Sequence, residues 1–203
     1  MKNEGRRQKV ITIWKTVRPW ILFIALLAVL RFSGILAGIS VFTTARLMDM
    51  GLMQAKPVEP ADDQYLDYNF TIRDLQGTKT NFTSFKGKVV FINIWATWCG
   101  PCRAEMPSIQ KLYDKVDKDK IAFVMLSIDD PTMPRKVNKY VESNNYSFPV
   151  YLPSTLPGAL NVDVIPSTFV IAPDGKILYA KTGTANYDTP KFLEFLNEQI
   201  KAQ

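Results

Sequence analysis

Residues 88–96 read KVVFINIWA, with one charge at the first position, and a cysteine pair follows almost at once in Trp98-Cys99-Gly100-Pro101-Cys102. Near-continuous apolar character over so short a stretch marks a strand buried on both faces. Beyond Cys99 the period changes. Met106, Ile109, Leu112, Tyr113 and Val116 recur at helical spacing, which predicts a helix from about Gly100 to Lys118. Cysteines at i and i+3 across a first helical turn have Cα atoms close enough for a disulfide. Cys99 then falls at the helix N-terminus, where unpaired N–H groups and the helix dipole favour a thiolate. Lowering a thiol pKa from ~8.5 to ~7 takes about 2 kcal/mol of preferential thiolate stabilisation, within reach of such a site. Pro101 is tolerated because the first turn has no N–H bond to lose.

The flanking segments alternate in the same way. Phe70–Arg73 and the neighbourhood of Thr80–Phe82 read as short strands before a turn at Lys86-Gly87. Ile121–Ile128 is a second buried strand, Pro134–Asn144 a helix and Phe148–Leu152 a third strand. Thr168–Ile171 and Ile177–Lys181 flank Pro173-Asp174-Gly175-Lys176, a hairpin signal, and Asp188–Lys201 is an amphipathic helix. Strand–helix–strand, then hairpin, then helix gives an α/β domain with a mixed sheet.

Composition removes several chemistries. The chain has no His and only two Cys, which excludes Ser-His, Cys-His and His-ligated metal sites. No metal is expected, since a zinc site needs four ligands. Arg103 stands where a c-type haem attachment would need His. A structural disulfide is a poor reading, because a clip this short constrains almost nothing. Redox use of the pair is the reading that strand, CxxC and helix support together, with the Cys99–Cys102 disulfide itself as the redox group and no other cofactor.

The net charge of +6 suggests nucleic acid until its distribution is examined. Residues 1–56 hold nine Lys/Arg against two acids, and residues 57–203 hold sixteen against seventeen. A nucleic-acid binder carries its basic patch on the folded domain. No nucleic-acid partner is expected. The basic segment 1–18 instead precedes Trp20–Phe42, whose only charge is Arg31. At 1.5 Å per residue this run reaches roughly 34 Å, enough for a hydrocarbon core of about 30 Å. Arg31 costs about 2.5–3.5 kcal/mol at mid-span, and the fourteen Leu, Ile, Val and Phe residues offset it by roughly 4–8 kcal/mol. The expectation is an uncleaved signal anchor over residues 19–43, with a cleaved signal peptide and a re-entrant hairpin as alternatives. By the positive-inside rule residues 1–18 are cytoplasmic, residues 44–64 form an interfacial segment and linker, and residues 65–203 lie outside the membrane.

The stretch Asn93-Ile94-Trp95-Ala96-Thr97-Trp98-Cys99-Gly100-Pro101-Cys102-Arg103-Ala104-Glu105-Met106-Pro107 resembles the TlpA/ResA branch of membrane-anchored thioredoxin-like proteins. Val164-Ile165-Pro166-Ser167-Thr168-Phe169-Val170-Ile171, followed by Pro173-Asp174-Gly175, resembles its second block. The likeness covers roughly residues 65–200. It implies a thioredoxin-like α/β fold, a central mixed sheet flanked by helices, with an extra N-terminal β-hairpin and a βα insertion. It also implies a periplasm-facing thiol–disulfide oxidoreductase in the bacterial inner membrane. Usual roles in the branch are reduction of apocytochrome c cysteines, copper-site cysteines or other exported thiols. The buried acid of thioredoxin would fall at position 93, which here is Asn93.

Carried over residue by residue, Cys99 attacks a substrate disulfide and Cys102 resolves the mixed disulfide. Trp98, Gly100, Pro101, Ile165 and Pro166 would meet substrate, with Pro166 as a cis-proline presenting the backbone of Ile165. Glu105 would be a partly buried acid that takes the Cys102 proton. Outside the cytoplasm nothing keeps thiols reduced by default, so a reductase needs a transmembrane thiol electron donor. Two alternatives stay open: a disulfide-forming oxidant, and a binding module without turnover.

Overall fold

Alternation along the buried strands decides how the layers stack. In β3 (Val89–Trp95) every residue is buried, with Val89, Phe91 and Trp95 in one core and Val90, Ile92 and Ile94 in the other. A strand wrapped on both faces can only be central. The structure is a computed structural model, and it describes Trp14, residues 17–23, Ala55 and residues 64–201. Seven strands form one mixed sheet: β1 (Thr71–Asp74), β2 (Lys79–Asn81), β3, β4 (Ile121–Ser127), β5 (Val150–Pro153), β6 (Ser167–Ile171) and β7 (Ile177–Thr182). Their order is β2-β1-β5-β4-β3-β6-β7. β3 pairs parallel with β4 and antiparallel with β6, so the end of β3 and the start of β6 lie at one edge.

Three helices complete the domain: α1 (Gly100–Lys115), α2 (Pro134–Ser143) and α3 (Pro190–Lys201). All three bury their apolar sides in the core that holds Phe91 and Trp95. The opposite face is covered by Leu66, Tyr68 and Phe70 and by two 3-10 turns, Phe82–Phe85 and Gly158–Leu160. This is the thioredoxin-like arrangement that the resemblance implied. The β1–β2 hairpin and the α2–β5 pair extend the sheet beyond β4. At the β6–β7 turn Gly175 takes φ +98°, and a Cβ there would sit 3.2 Å from the Tyr68 ring. Glycine is required on both counts.

The expected element limits shift by a few residues. α1 ends at Lys115 rather than Lys118, because Asp117 closes a turn in which its carbonyl accepts from the N–H groups of Lys120 and Ile121. β5 begins at Val150 rather than Phe148.

The basic segment 1–18, the anchor 19–43 and the interfacial segment and linker 44–64 lie outside the described residues, apart from Trp14, residues 17–23, Ala55 and Gln64. Residues 17–23 are helical and exposed. No helix among the described residues is long and apolar enough to cross a membrane. Ala55, within the expected linker, is buried in the helix-side core and donates its N–H to the Asn186 carbonyl at 3.0 Å.

Candidate active site

β3 ends at Trp95, and a turn closed by the Cys99 N–H on the Ala96 carbonyl, at 3.1 Å, delivers Cys99 to the start of α1. Cys99 is the N-cap, with extended backbone, and its Sγ accepts from the Cys102 N–H at 3.2 Å. The pair forms a disulfide with Cα atoms 5.3 Å apart. A sulfur that receives a helix N-terminal N–H is the one whose thiolate is stabilised. Cys99 is 6% exposed and Cys102 fully buried, so Cys99 is also the sulfur a substrate can reach.

The Ile165–Pro166 bond is cis, and the Ile165 carbonyl oxygen lies 4.0 Å from Cys99 Sγ. Trp98 is 63% exposed, and Gly100 and Pro101 lie in the first turn of α1. Val164, Ile128 and Met133 are also exposed. Ile128 follows β4 directly, Met133 caps α2 and Val164 precedes the cis-proline, so these apolar side chains share the sheet edge that carries Cys99.

Glu105 is fully buried, where the resemblance implied partial burial. Position 93 falls on the helix face of β3, under α1, and Asn93 Nδ2 donates to Glu105 Oε1 at 2.7 Å. The same Nδ2 donates to Thr168 Oγ1 at 2.9 Å, across the β3–β6 register that pairs these two residues. The Ala185 N–H donates to Glu105 Oε2 at 3.2 Å. Burial dominates and pushes the Glu105 pKa up to about 8, against the opposing pull of the Asn93 and Ala185 bonds and of the Lys181 charge. An amide suits this position. Rotated, it can offer Oδ1 to a protonated Glu105 and still bond the Thr168 hydroxyl. An aspartate there would add a second buried negative charge.

Sequence reasoning missed the loop after β7. Thr184 Oγ1 donates to the Pro101 carbonyl, the Ala185 N–H to Glu105, and the Tyr187 N–H to Ser108 Oγ. The three contacts climb one face of α1 and fix it over the sheet. Arg103 lies over the Tyr140 ring at 5.6 Å.

The Redoxin family profile matches residues 61–196. The chain belongs to the Redoxin family. It is 35% identical over 112 residues to the thiol-disulfide oxidoreductase ResA of Bacillus cereus, covering 54% of this chain and 64% of that one. With ResA of Geobacillus thermodenitrificans it shares 33% over 118 residues, 57% of this chain and 67% of the other. Among solved structures, a thiol:disulfide interchange protein of Chlorobium tepidum superposes with TM-score 0.56 at 23% identity, over 69% of this chain and 99% of that one. A thioredoxin-like protein of Porphyromonas gingivalis gives 0.53 at 28% identity, over 67% and 92%.

Proposed function

We propose that this Redoxin-family chain is a thiol–disulfide oxidoreductase that reduces disulfides of exported proteins, tethered to the bacterial inner membrane by its N-terminal segment. The observation that carries the reading is the Cys99–Cys102 disulfide across the first turn of α1, with Cys99 the reachable sulfur. The names of the ResA relatives point to the same chemistry.

In the forward direction the Cys99 thiolate attacks one sulfur of a substrate disulfide, and the other substrate sulfur leaves as a thiolate. Cys102 then attacks the Cys99 sulfur, and the second substrate sulfur leaves. Two electrons pass from the cysteine pair to the substrate. Cys102 must lose a proton for this, and Glu105, one turn along α1, receives it. Burial raises the Glu105 pKa to about 8, so the carboxyl exchanges a proton near neutral pH, and its deprotonated form is the one that takes the Cys102 proton. Trp98, Gly100, Pro101, Ile165 and Pro166 line the approach to Cys99, and the neighbouring apolar side chains favour an unfolded substrate segment. Apocytochrome c and copper-site cysteines are the substrate classes to test first.

The basic N-terminal flank supports a cytoplasmic N-terminus and a domain facing the periplasm. A reductase there draws electrons from a transmembrane thiol donor. Protease added to spheroplasts is expected to digest the domain, and full protection would reverse the orientation. Equilibration of the full chain with thiol redox buffers tests the direction of transfer: a potential near about −270 mV fits a reductase, and one near about −120 mV would make it an oxidant.

A further inference from the structure

A second carboxylate, Asp129, lies at the same sheet edge, and the exchange mechanism above makes no use of it. It lies two residues past the end of β4, and its side chain is 2% exposed. Its Oδ2 accepts from the Thr97 N–H at 2.7 Å and its Oδ1 from the Thr97 hydroxyl at 2.6 Å. Ser127 Oγ donates to Oδ2 at 2.9 Å, and Lys136 Nζ, from α2, approaches Oδ1 at 3.2 Å. Ser127 Oγ in turn accepts from the Asp129 N–H at 3.2 Å, and the Ile128 N–H bonds the Trp95 carbonyl at 2.9 Å. The carboxylate is therefore held rigidly, and both of its oxygens grip one residue.

That residue is the second position of the Ala96–Cys99 turn. With its N–H and hydroxyl both held, Thr97 has almost no freedom, and the turn sets where Cys99 Sγ meets the Cys102 N–H. Geometry at this point governs the thiolate, because one N–H donated to the sulfur is part of what stabilises the charge.

We propose that Asp129 is a positioning residue for Cys99: through Thr97 it fixes the nucleophile turn and so sets the reactivity of the Cys99 thiol. The inference rests on the exchange reading given above for its purpose, but not for its test. Positioning and charge act with opposite signs. Loosening the turn weakens the N–H bond to Sγ, raises the Cys99 pKa, slows its alkylation and lowers the reduction potential. Removing a nearby negative charge alone favours the thiolate and speeds alkylation.

The test uses the full chain, reduced and treated briefly with iodoacetamide at pH 7, with Cys99 and Cys102 adducts separated by mass. Thr97→Val keeps the charge of Asp129 and loses only the hydroxyl bond. It is expected to slow Cys99 alkylation about three- to tenfold, the worth of one hydrogen bond, and to move the potential to a more negative value. Thr97→Ser is expected to restore both. Asp129→Asn is expected to slow alkylation as well, since an amide cannot accept both Thr97 bonds. Faster alkylation in Asp129→Asn with Thr97→Val unchanged would reduce Asp129 to a charge effect and overturn the proposal. Wild-type rate and potential in all three variants, with only a lower melting temperature, would overturn it as well. Alkylation needs no substrate, so the comparison holds even for a chain that fails to reduce any disulfide, a failure that would sink the exchange reading alone.

Discussion

Two buried carboxylates stand on either side of the nucleophile turn, and the fold drives them to opposite protonation states. Glu105 is enclosed by α1, β3 and the loop after β7, and it receives two hydrogen bonds, both from neutral donors. Burial prevails and its pKa rises to about 8. Burial also acts upward on Asp129. Its four donors, the Thr97 hydroxyl and N–H, Ser127 and the Lys136 ammonium, outweigh that and hold it below the usual carboxylate range. Glu105 lies deeper, and Asp129 has twice the donors and a cation beside it; together these make Glu105 a group that can exchange a proton near neutral pH and Asp129 a permanent anion.

The most damaging change should be the loss of the permanent anion. Asp129→Ala leaves the Thr97 N–H, the Thr97 hydroxyl and the Ser127 hydroxyl without their acceptor, and the expected destabilisation is about 3 kcal/mol in urea unfolding. Because the folded pKa of Asp129 is depressed, its contribution is complete above about 3.8 and is lost as pH falls through the lower folded value. The gap between wild type and variant should therefore be full at pH 7 and shrink in stronger acid. A gap that does not change with pH would mean that Asp129 acts through packing and not as an anion.

Glu105→Gln should do the reverse: little harm to the fold, clear harm to turnover. Loss of a positioned proton acceptor slows resolution of the mixed disulfide by about a hundredfold or more, read by quenched-flow trapping of the intermediate. The stability profile should change too. A raised carboxyl favours the fold fully below about 4.5, and that advantage is lost as pH rises to about 8. Wild type should thus lose stability relative to Glu105→Gln between pH 5 and pH 8. Parallel stability curves together with an unchanged resolution rate would make Glu105 a bystander.

How much of this pair was legible in the sequence differs for physical reasons. The buried runs placed β3 and β4 to within a residue, because a strand wrapped on both faces has no polar positions to blur it. Glu105 was visible through its place after the cysteine pair. Its two partners were not equally so: Asn93 stood out only against thioredoxin, and the Ala185 N–H arrives from a loop eighty positions away. Asp129 was hidden in the dipeptide Asp129-Asp130. Asp130 is exposed and caps Thr132, while Asp129 turns inward. Parity along β4 could not tell them apart, because Ile121, Phe123 and Met125 face one core while Val124 and Leu126 face the other, so neither face of the strand points to solvent.

The smallest expected effect concerns the cation in the comparison. Lys136 Nζ lies 3.2 Å from Asp129 Oδ1, but its side chain is 50% exposed while that of Asp129 is 2% exposed. A half-exposed ammonium keeps much of its hydration, and salt screens what remains, so such pairs contribute about 0–1 kcal/mol. Thr97 and Ser127 still bond the carboxylate when Lys136 is gone. Lys136→Met should therefore cost less than about 1 kcal/mol at pH 7, with the difference vanishing in high salt. It should also leave Cys99 alkylation at the wild-type rate, since the grip on Thr97 is intact. A loss approaching that of Asp129→Ala would mean that the ammonium, and not the hydrogen-bond donors, keeps Asp129 charged. The contrast with Glu105 would then rest on one surface cation rather than on the number of buried donors.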